Sequence, residues 1–295
     1  FSTPGLVIIS AGAEVRDGRK VVSPVLVRDA RTAVDYIDVS LDALALGGSA
    51  FAQSLGRVGK EAPTVRDSEY FASAFNAIQQ LIAEDLILAG HDISAGGMIT
   101  ALLEMNFGNT EGGLEVKLDK IPEKDLIKIL FSENPGVLIQ VKDRKAVEKI
   151  LEEAGVGYAV IGHPCSERHI LVSKDGAEYL FGIDHLRDVW FSSSYLLDRK
   201  QSGEEQAKAR FLNYKEQPLH YHFNKEFTGK MQSYGISADR RTPSGVKAAI
   251  IREKGVNGDR EMVYSLYLAG FDVKDVHITD LISGRETLED VNMIV

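Results

Sequence analysis

His91-Asp92-Ile93-Ser94-Ala95-Gly96-Gly97-Met98 separates an apolar run from a helix-spaced one, and the fold of the chain around it follows from that break. Upstream, Leu86-Ile87-Leu88-Ala89-Gly90 suits a short buried strand. Downstream, Met98, Leu102 and Met105 fall at i, i+4 and i+7, one apolar face of a helix. The residues between are therefore a strand-to-helix turn. Asp92 and Ser94 place small oxygen-bearing side chains at the helix entrance, while Gly96 and Gly97 let a backbone or a ligand come close. Two uses are open. A side-chain oxygen can cap the helix, or the free N–H groups can receive a phosphate while Asp92 holds the Mg²⁺ that accompanies nucleotide phosphates. Capping is the commoner use of such residues.

Working outward, residues 6–13 form an apolar, β-branched run fit for a buried strand, and 21–27 a second that Pro24 makes an edge or bent strand. Residues 36–40 alternate as a third. Gly47-Gly48-Ser49 then opens a helix over about 49–58 and is either an ordinary helix entrance or a second phosphate cradle. Asp67 and Ser68 can cap a helix over 68–84, whose apolar stripe Phe71, Phe75, Ile78 and Ile82 predicts the core-facing side. After the central turn and its helix, 106–113 is a glycine- and asparagine-rich loop. Strand 114–118, helix 126–130, strand 137–141, helix 144–154 and strand 158–162 follow, with Gly155 as the residue that closes the last helix. The strand–helix–strand order of 137–162 reads as a right-handed βαβ unit. Residues 169–172 and 179–181 read as a closing hairpin.

Composition shifts beyond residue 182. Residues 184–212 are helical in pattern, strongly charged from Asp198, and hold the single tryptophan, Trp190, expected to be packed. Residues 213–245 have little periodicity and read as a linker. Its His220 and His222 have no third ligand nearby and make a weak metal site. A strand over 246–252, a glycine-bearing loop, a helix over 259–269 and a strand over 273–278 then begin a parallel α/β unit, which only 291–295 remain to extend. The expected organisation is an α+β domain at 1–182, a helical segment and linker at 183–245, and a truncated α/β unit at 246–295.

The bulk numbers exclude several classes. The 295 residues allow about two domains. With 34 basic and 43 acidic residues the formal charge is −9, which argues against a nucleic-acid partner. No apolar run approaches roughly 18 residues, so no membrane partner is expected, and the amino terminus lacks the pattern of a signal peptide. The lone Cys165 permits no intrachain disulfide, which fits a cytoplasmic setting. Its place in a turn-like stretch does not favour a nucleophile. The chain starts on Phe1 without an initiator Met and stops within the apolar Met293-Ile294-Val295, so both ends read as cut.

His91-Asp92-Ile93-Ser94-Ala95-Gly96-Gly97 followed by Glu104-Met105 resembles the His-Asp-x-Ser-Asp-Gly-Gly…Glu-Met motif of the aminoimidazole-ribonucleotide-synthetase superfamily. Leu130-Phe131-Ser132-Glu133 and Gly47-Gly48-Ser49 are similar to that group as well. Arg252-Glu253-Lys254-Gly255-Val256-Asn257, Glu261-Met262, Ala269-Gly270-Phe271-Asp272 and Val276-His277 resemble the start of the glutaminase domain of the large phosphoribosylformylglycinamidine synthases. The resemblance implies the C-terminal α+β domain of the second synthetase half, a linker, and the start of a class I glutaminase. Members of that family make formylglycinamidine ribonucleotide from formylglycinamide ribonucleotide, glutamine and ATP in purine biosynthesis.

The resemblance further implies that Asp92 is a Mg²⁺ ligand and Ser94 a nucleotide contact. Both would serve a tightly bound auxiliary ATP or ADP rather than turnover. Ala95 departs from the motif's Asp and removes a carboxylate from the turn. No residue of the chain corresponds to a catalytic position, and Cys165 lies in the wrong module to be the glutaminase nucleophile. The implied partners are the missing parts of a parent chain and the small-molecule substrates. The chain alone is expected to bind nucleotide weakly and to be inactive. Two other readings are a different ATP-dependent enzyme of the superfamily, which the glutaminase-like tail argues against, and a non-catalytic docking scaffold.

Overall fold

The computed structural model describes residues 10, 12–14, 17–216 and 222–295. The strand expected over 6–13 lies largely outside the described residues, as does His220. The chain divides into two compact units, Lys20–Tyr221 and a second made of Phe1–Arg19 with His222–Val295. Among the described residues no helix is long and apolar enough to cross a membrane.

The first unit is α+β. A seven-stranded sheet runs in the order β2-β4-β1-β5-β3-β6-β7, built from β1 Ala33–Asp38, β2 Ile87–Asp92, β3 Gly113–Lys117, β4 Gly136–Val141, β5 Tyr158–Cys165, β6 His169–Lys174 and β7 Ala177–Gly182. All neighbours are antiparallel except β3 and β6. Strand β1 lies between β4 and β5, with Ile37 opposite Val137 on one side and Tyr158 on the other. Strands β4 and β5 are therefore parallel, as a βαβ unit requires, but a third strand separates them.

Alternation along β1 divides the core. Val34 and Tyr36 face one cluster with Met98, Leu102, Met105, Leu114, Leu138 and Ile161, while Ala33 and Ile37 face another with Leu81, Ile139, Val147 and Leu151. Helix α3 (Gly97–Phe107) covers the first face and is buried nearly all round, because α4 (Leu126–Phe131) and α6 (Ile183–Ser202) pack on it in turn. Helices α2 (Ser68–Ala83) and α5 (Arg144–Glu153) cover the other face. Each starts on an aspartate. Asp67 accepts from the N–H groups of Glu69 and Tyr70 at 2.9 and 3.1 Å, and Asp143 from Ala146 at 3.2 Å. Gly155 ends α5 with φ +65° while Val156 N–H bonds back to Leu151.

Several expectations change. The buried side of α2 is Ala74, Ala77 and Leu81, whereas Phe75 is 53% exposed. Two alanines let the helix backbone sit close to the sheet, and that close approach turns the phenylalanines outward. Residues 21–27 form no strand. Pro24 offers no N–H, and the segment is tied instead by separate bonds from Gly90 N–H to the Ser23 carbonyl and from Leu26 N–H to the Met105 carbonyl. The helix opened by Ser49 spans only Ala50–Ser54 (α1) before Gly56 turns it. The 184–212 segment breaks at Gly203 (φ +88°) into α6 and α7 (Glu204–Leu212), and it packs within the first unit. Trp190 is half exposed, with its ring against Phe191 and Phe107 at 4.6 and 5.9 Å between centroids.

The second unit is α/β. Strands β8 (Lys247–Arg252), β9 (Asp272–His277) and β10 (Met293–Ile294) form a parallel sheet in the order β10-β8-β9, with α8 (Asp259–Leu268) crossing between the first two. A one-turn helix, α9 (Ile278–Ile282), follows β9. The buried cluster here is small: Ala248, Ile250 and Leu266.

Candidate functional site

Strand β2, at the edge of the sheet, carries His91 and Asp92 to its end opposite Leu138 and Val137. Ile93 is buried beneath the turn and donates to the Gly136 carbonyl at 2.8 Å. The chain then turns through Gly96 (φ +91°) and Gly97 (φ +76°) into α3. A Cβ on Gly97 would stand 2.6 Å from the Leu130 carbonyl oxygen and 2.7 Å from the Phe131 Cα. Backbone cannot yield as a side chain can, so this turn requires glycine.

The capping use of the turn is not the one the structure adopts. Gly96 is the N-cap of α3, and no side chain caps it. The left-handed conformation at Gly96 brings the Ser94 carbonyl, rather than a hydroxyl or carboxylate, to the Gly97 N–H at 3.0 Å. The Asp92 carboxylate is 75% exposed, with His91 Nδ1 3.7 Å away. The Ser94 side chain is also at the surface. Beside Asp92 runs a groove of about 340 Å³ whose walls include Val22, Pro24, Ile82 and Val137.

His91 is held from both sides. Its Nε2 lies 3.2 Å from Glu104 Oε2 on α3, and its Nδ1 lies 2.7 Å from the Asp92 carbonyl oxygen. The ring thus pins the end of β2 to the second turn of α3. This gives the Glu104 of the motif a physical role.

The second glycine turn is used by the protein itself. Ser49 Oγ accepts from Ala52 N–H at 3.2 Å and donates to the Leu46 carbonyl at 2.7 Å. The N–H of Ala50, at the start of α1, donates to Glu133 Oε1 at 2.7 Å. The same oxygen accepts the Gly96 N–H at 2.9 Å. The Gly47-Gly48-Ser49 entrance is therefore capped by a hydroxyl and a carboxylate of the chain. Sequence reasoning left Glu133 without a role, because its two partners lie 83 and 37 residues away. The one sequence signal that touches it is the Leu130-Phe131-Ser132-Glu133 stretch of the resemblance, which names the residue but not its partners.

Other candidates fall away. Cys165 Sγ lies 3.7 Å from the Glu167 carbonyl, and burial pushes its thiol up, away from thiolate chemistry. His222 is exposed. Among the described residues no three His, Cys, Asp or Glu side chains cluster as a metal site. Asp92 is thus a single hard-oxygen donor. That fits one protein ligand of a Mg²⁺ whose other ligands are phosphates and waters, since Mg²⁺ often takes only one or two carboxylates. It does not fit a metal cage built from this turn alone. A larger cleft of about 760 Å³, lined by Tyr36, Asp38, Leu44, Lys120, Lys124 and Tyr158, includes neither Asp92 nor Ser94.

Residues 39–173 match the model described as "AIR synthase related protein, C-terminal domain", and 245–295 match "CobB/CobQ-like glutamine amidotransferase domain". Over 99% of its length the chain is 33% identical to the probable chloroplastic/mitochondrial phosphoribosylformylglycinamidine synthase of Arabidopsis thaliana. Over 97% it is 35% identical to the Homo sapiens phosphoribosylformylglycinamidine synthase. The chain is a homologue of one stretch of the phosphoribosylformylglycinamidine synthases. It spans 21% of the length of each of those two relatives. Among solved structures, Thermotoga maritima PurL complexed with ATP overlays on 57% of this chain and 27% of its own, at a TM-score of 0.45 and 16% identity. The two matched segments fall in the two structural units, so the α+β unit and the α/β unit correspond to the synthetase-related and amidotransferase-related parts of a phosphoribosylformylglycinamidine synthase.

Proposed function

We propose that this chain is part of the ATP- and glutamine-dependent ligase that converts formylglycinamide ribonucleotide to formylglycinamidine ribonucleotide in purine biosynthesis. In that enzyme its first unit contributes one wall of an auxiliary nucleotide site. Asp92 is the Mg²⁺ ligand and Ser94 the nucleotide contact. The observation that carries the reading is the turn itself. Asp92 and Ser94 sit at the mouth of an eleven-residue helix, their side chains are exposed, and neither is spent on capping it. A bound Mg²⁺ would neutralise phosphate charge there. Ala95 leaves the turn with no carboxylate beside Asp92 for proton transfer, so its role is to bind.

The remaining ligands come from other parts of a longer polypeptide. So do the substrates' principal contacts and the glutaminase nucleophile. The soluble, cytoplasmic setting of purine synthesis belongs to this reading, as do the domain limits 1–182, 183–245 and 246–295, with the helices at the start of the middle segment packed on the first domain. Calorimetry with MgADP tests it. This chain alone binds weaker than micromolar and shows no amidotransferase activity. A parent-length synthase binds tightly and loses that binding on Asp92→Asn. Sub-micromolar MgADP binding by this chain, or unchanged binding in the parent-length Asp92→Asn variant, overturns the assignment.

A further inference from the structure

We propose that Glu133 is the positioning residue of the Asp92–Ser94 turn, acting as an internal anion that ties this turn to the neighbouring helix entrance. One carboxylate oxygen receives two backbone N–H groups that no helix bond can satisfy, Gly96 at 2.9 Å and Ala50 at 2.7 Å. Charged acceptors make the stronger hydrogen bonds, and the positive ends of helices favour a negative partner. The residues on either side of Glu133 are held as firmly. Phe131 stacks on Phe51 of α1 with centroids 4.7 Å apart. Asn134 is buried; its Oδ1 accepts the Ala45 N–H and its Nδ2 donates to the Ala43 carbonyl, both at 3.0 Å. The backbone at Leu130–Phe131 fills the space where Gly97 would carry a Cβ.

Residues 130–134 thus brace three segments: 43–45 through Asn134, 49–51 through Glu133 and Phe131, and 96–97 through Glu133 and backbone contact. The consequence for Asp92 and Ser94 is geometric. With Gly96 N–H committed to Glu133, the turn keeps one conformation and leaves both side-chain oxygens facing outward. This assignment rests on the proposed nucleotide reading only for its purpose; the brace itself stands on the hydrogen bonds.

Two measurements separate the parts. In this chain, site-resolved amide hydrogen exchange is compared for wild type, Glu133→Ala and Glu133→Gln. Loss of the carboxylate raises exchange at both Gly96 and Ala50 by about tenfold or more. Gln, which keeps an oxygen at the same reach but no charge, restores only part of the protection and remains informative if the alanine variant does not fold. A rise at neither amide, or at only one, overturns the brace. In a parent-length synthase, MgADP affinity falls at least about tenfold in Glu133→Ala, on the scale of a lost charged hydrogen bond, and recovers in part in Glu133→Gln. If Asp92→Asn weakens MgADP binding and Glu133→Ala does not, the positioning role is wrong. If neither does, the nucleotide reading fails, and the exchange result alone decides the brace.

Discussion

The two units treat a carboxylate in opposite ways. In the first, Asp35 sits mid-sheet on β1, fully buried between Ile139 and Val160 on the flanking strands, and neither of its oxygens has a hydrogen-bond partner. Burial pushes it up to about 6, partly offset by the Arg144 guanidinium. In the second, Asp272 at the start of β9 accepts N–H bonds from Ser244 at 3.0 Å and Gly245 at 2.7 Å, with Arg240 Nη1 at 3.1 Å. The two backbone bonds, helped by Arg240, hold it down at about 2. A sheet covered on both faces has enough apolar burial to tolerate an unsatisfied charge. A three-stranded sheet with a small apolar cluster of Ala248, Ile250 and Leu266 does not, and its strand ends are fastened by polar ties instead.

The largest test of that contrast is Leu102→Ala on fully buried α3, which costs the first unit about 3–5 kcal/mol in urea unfolding. Leu266→Ala in the second unit costs about 2 kcal/mol, since it is slightly exposed and its buried cluster is small. Equal losses would mean that the second unit is as core-dependent as the first.

Asp35→Asn comes next. A folded-state value raised above the unfolded 3.8 means that this group favours the fold below pH ~4, and the advantage is lost as pH rises through ~6. At pH 8 the variant is more stable than wild type by about 2–3 kcal/mol, and the gap vanishes near pH 4. Equal stability at pH 8 would show that Asp35 reaches water or a partner. Asp272→Asn acts in the other direction and more weakly. The stabilisation of a depressed carboxylate is present above pH ~4 and fades as pH falls toward about 2. The variant therefore lowers the melting point of the second unit at pH 7 and no longer does so at pH 2. The smallest effect is at α2. Phe75→Ser changes stability by less than about 1 kcal/mol, because the ring is half exposed. A loss the size of Leu102→Ala would return Phe75 to the core.

Much of the fold was legible because local signals agreed with one another. Asp67 announces the helix it caps, and Gly155 the end of α5. The alternation at 114–118 and the apolar run at 137–141 mark strands that the sheet contains. Helix faces were less legible where size rather than apolarity decides. Phe71 and Phe75 outweigh Ala74 and Ala77 in any hydrophobic count, yet a helix lying close on a sheet selects the small residues. At the candidate site the strand-to-helix turn carrying Asp92, Ser94 and the two glycines could be read directly from the sequence. What could not be read was which oxygen caps the helix and which group fills the second glycine entrance.

By itself, then, the sequence determined the strand–turn–helix around Asp92, most of the strands and helices from residue 68 onward and the two homologous segments, because each depends on neighbours within a few residues; that Gly97 has no room for a side chain was decided by the distant Leu130–Phe131 backbone. Only the tertiary structure decided that Gly96 rather than Asp92 caps α3 and that α2 shows its phenylalanines to solvent. It also decided that Glu133 joins two helix entrances and that Asp35 is buried without a partner. Those outcomes depend on which distant segments arrive at the same point, and hydrogen bonds spanning 37 and 83 residues leave no local pattern.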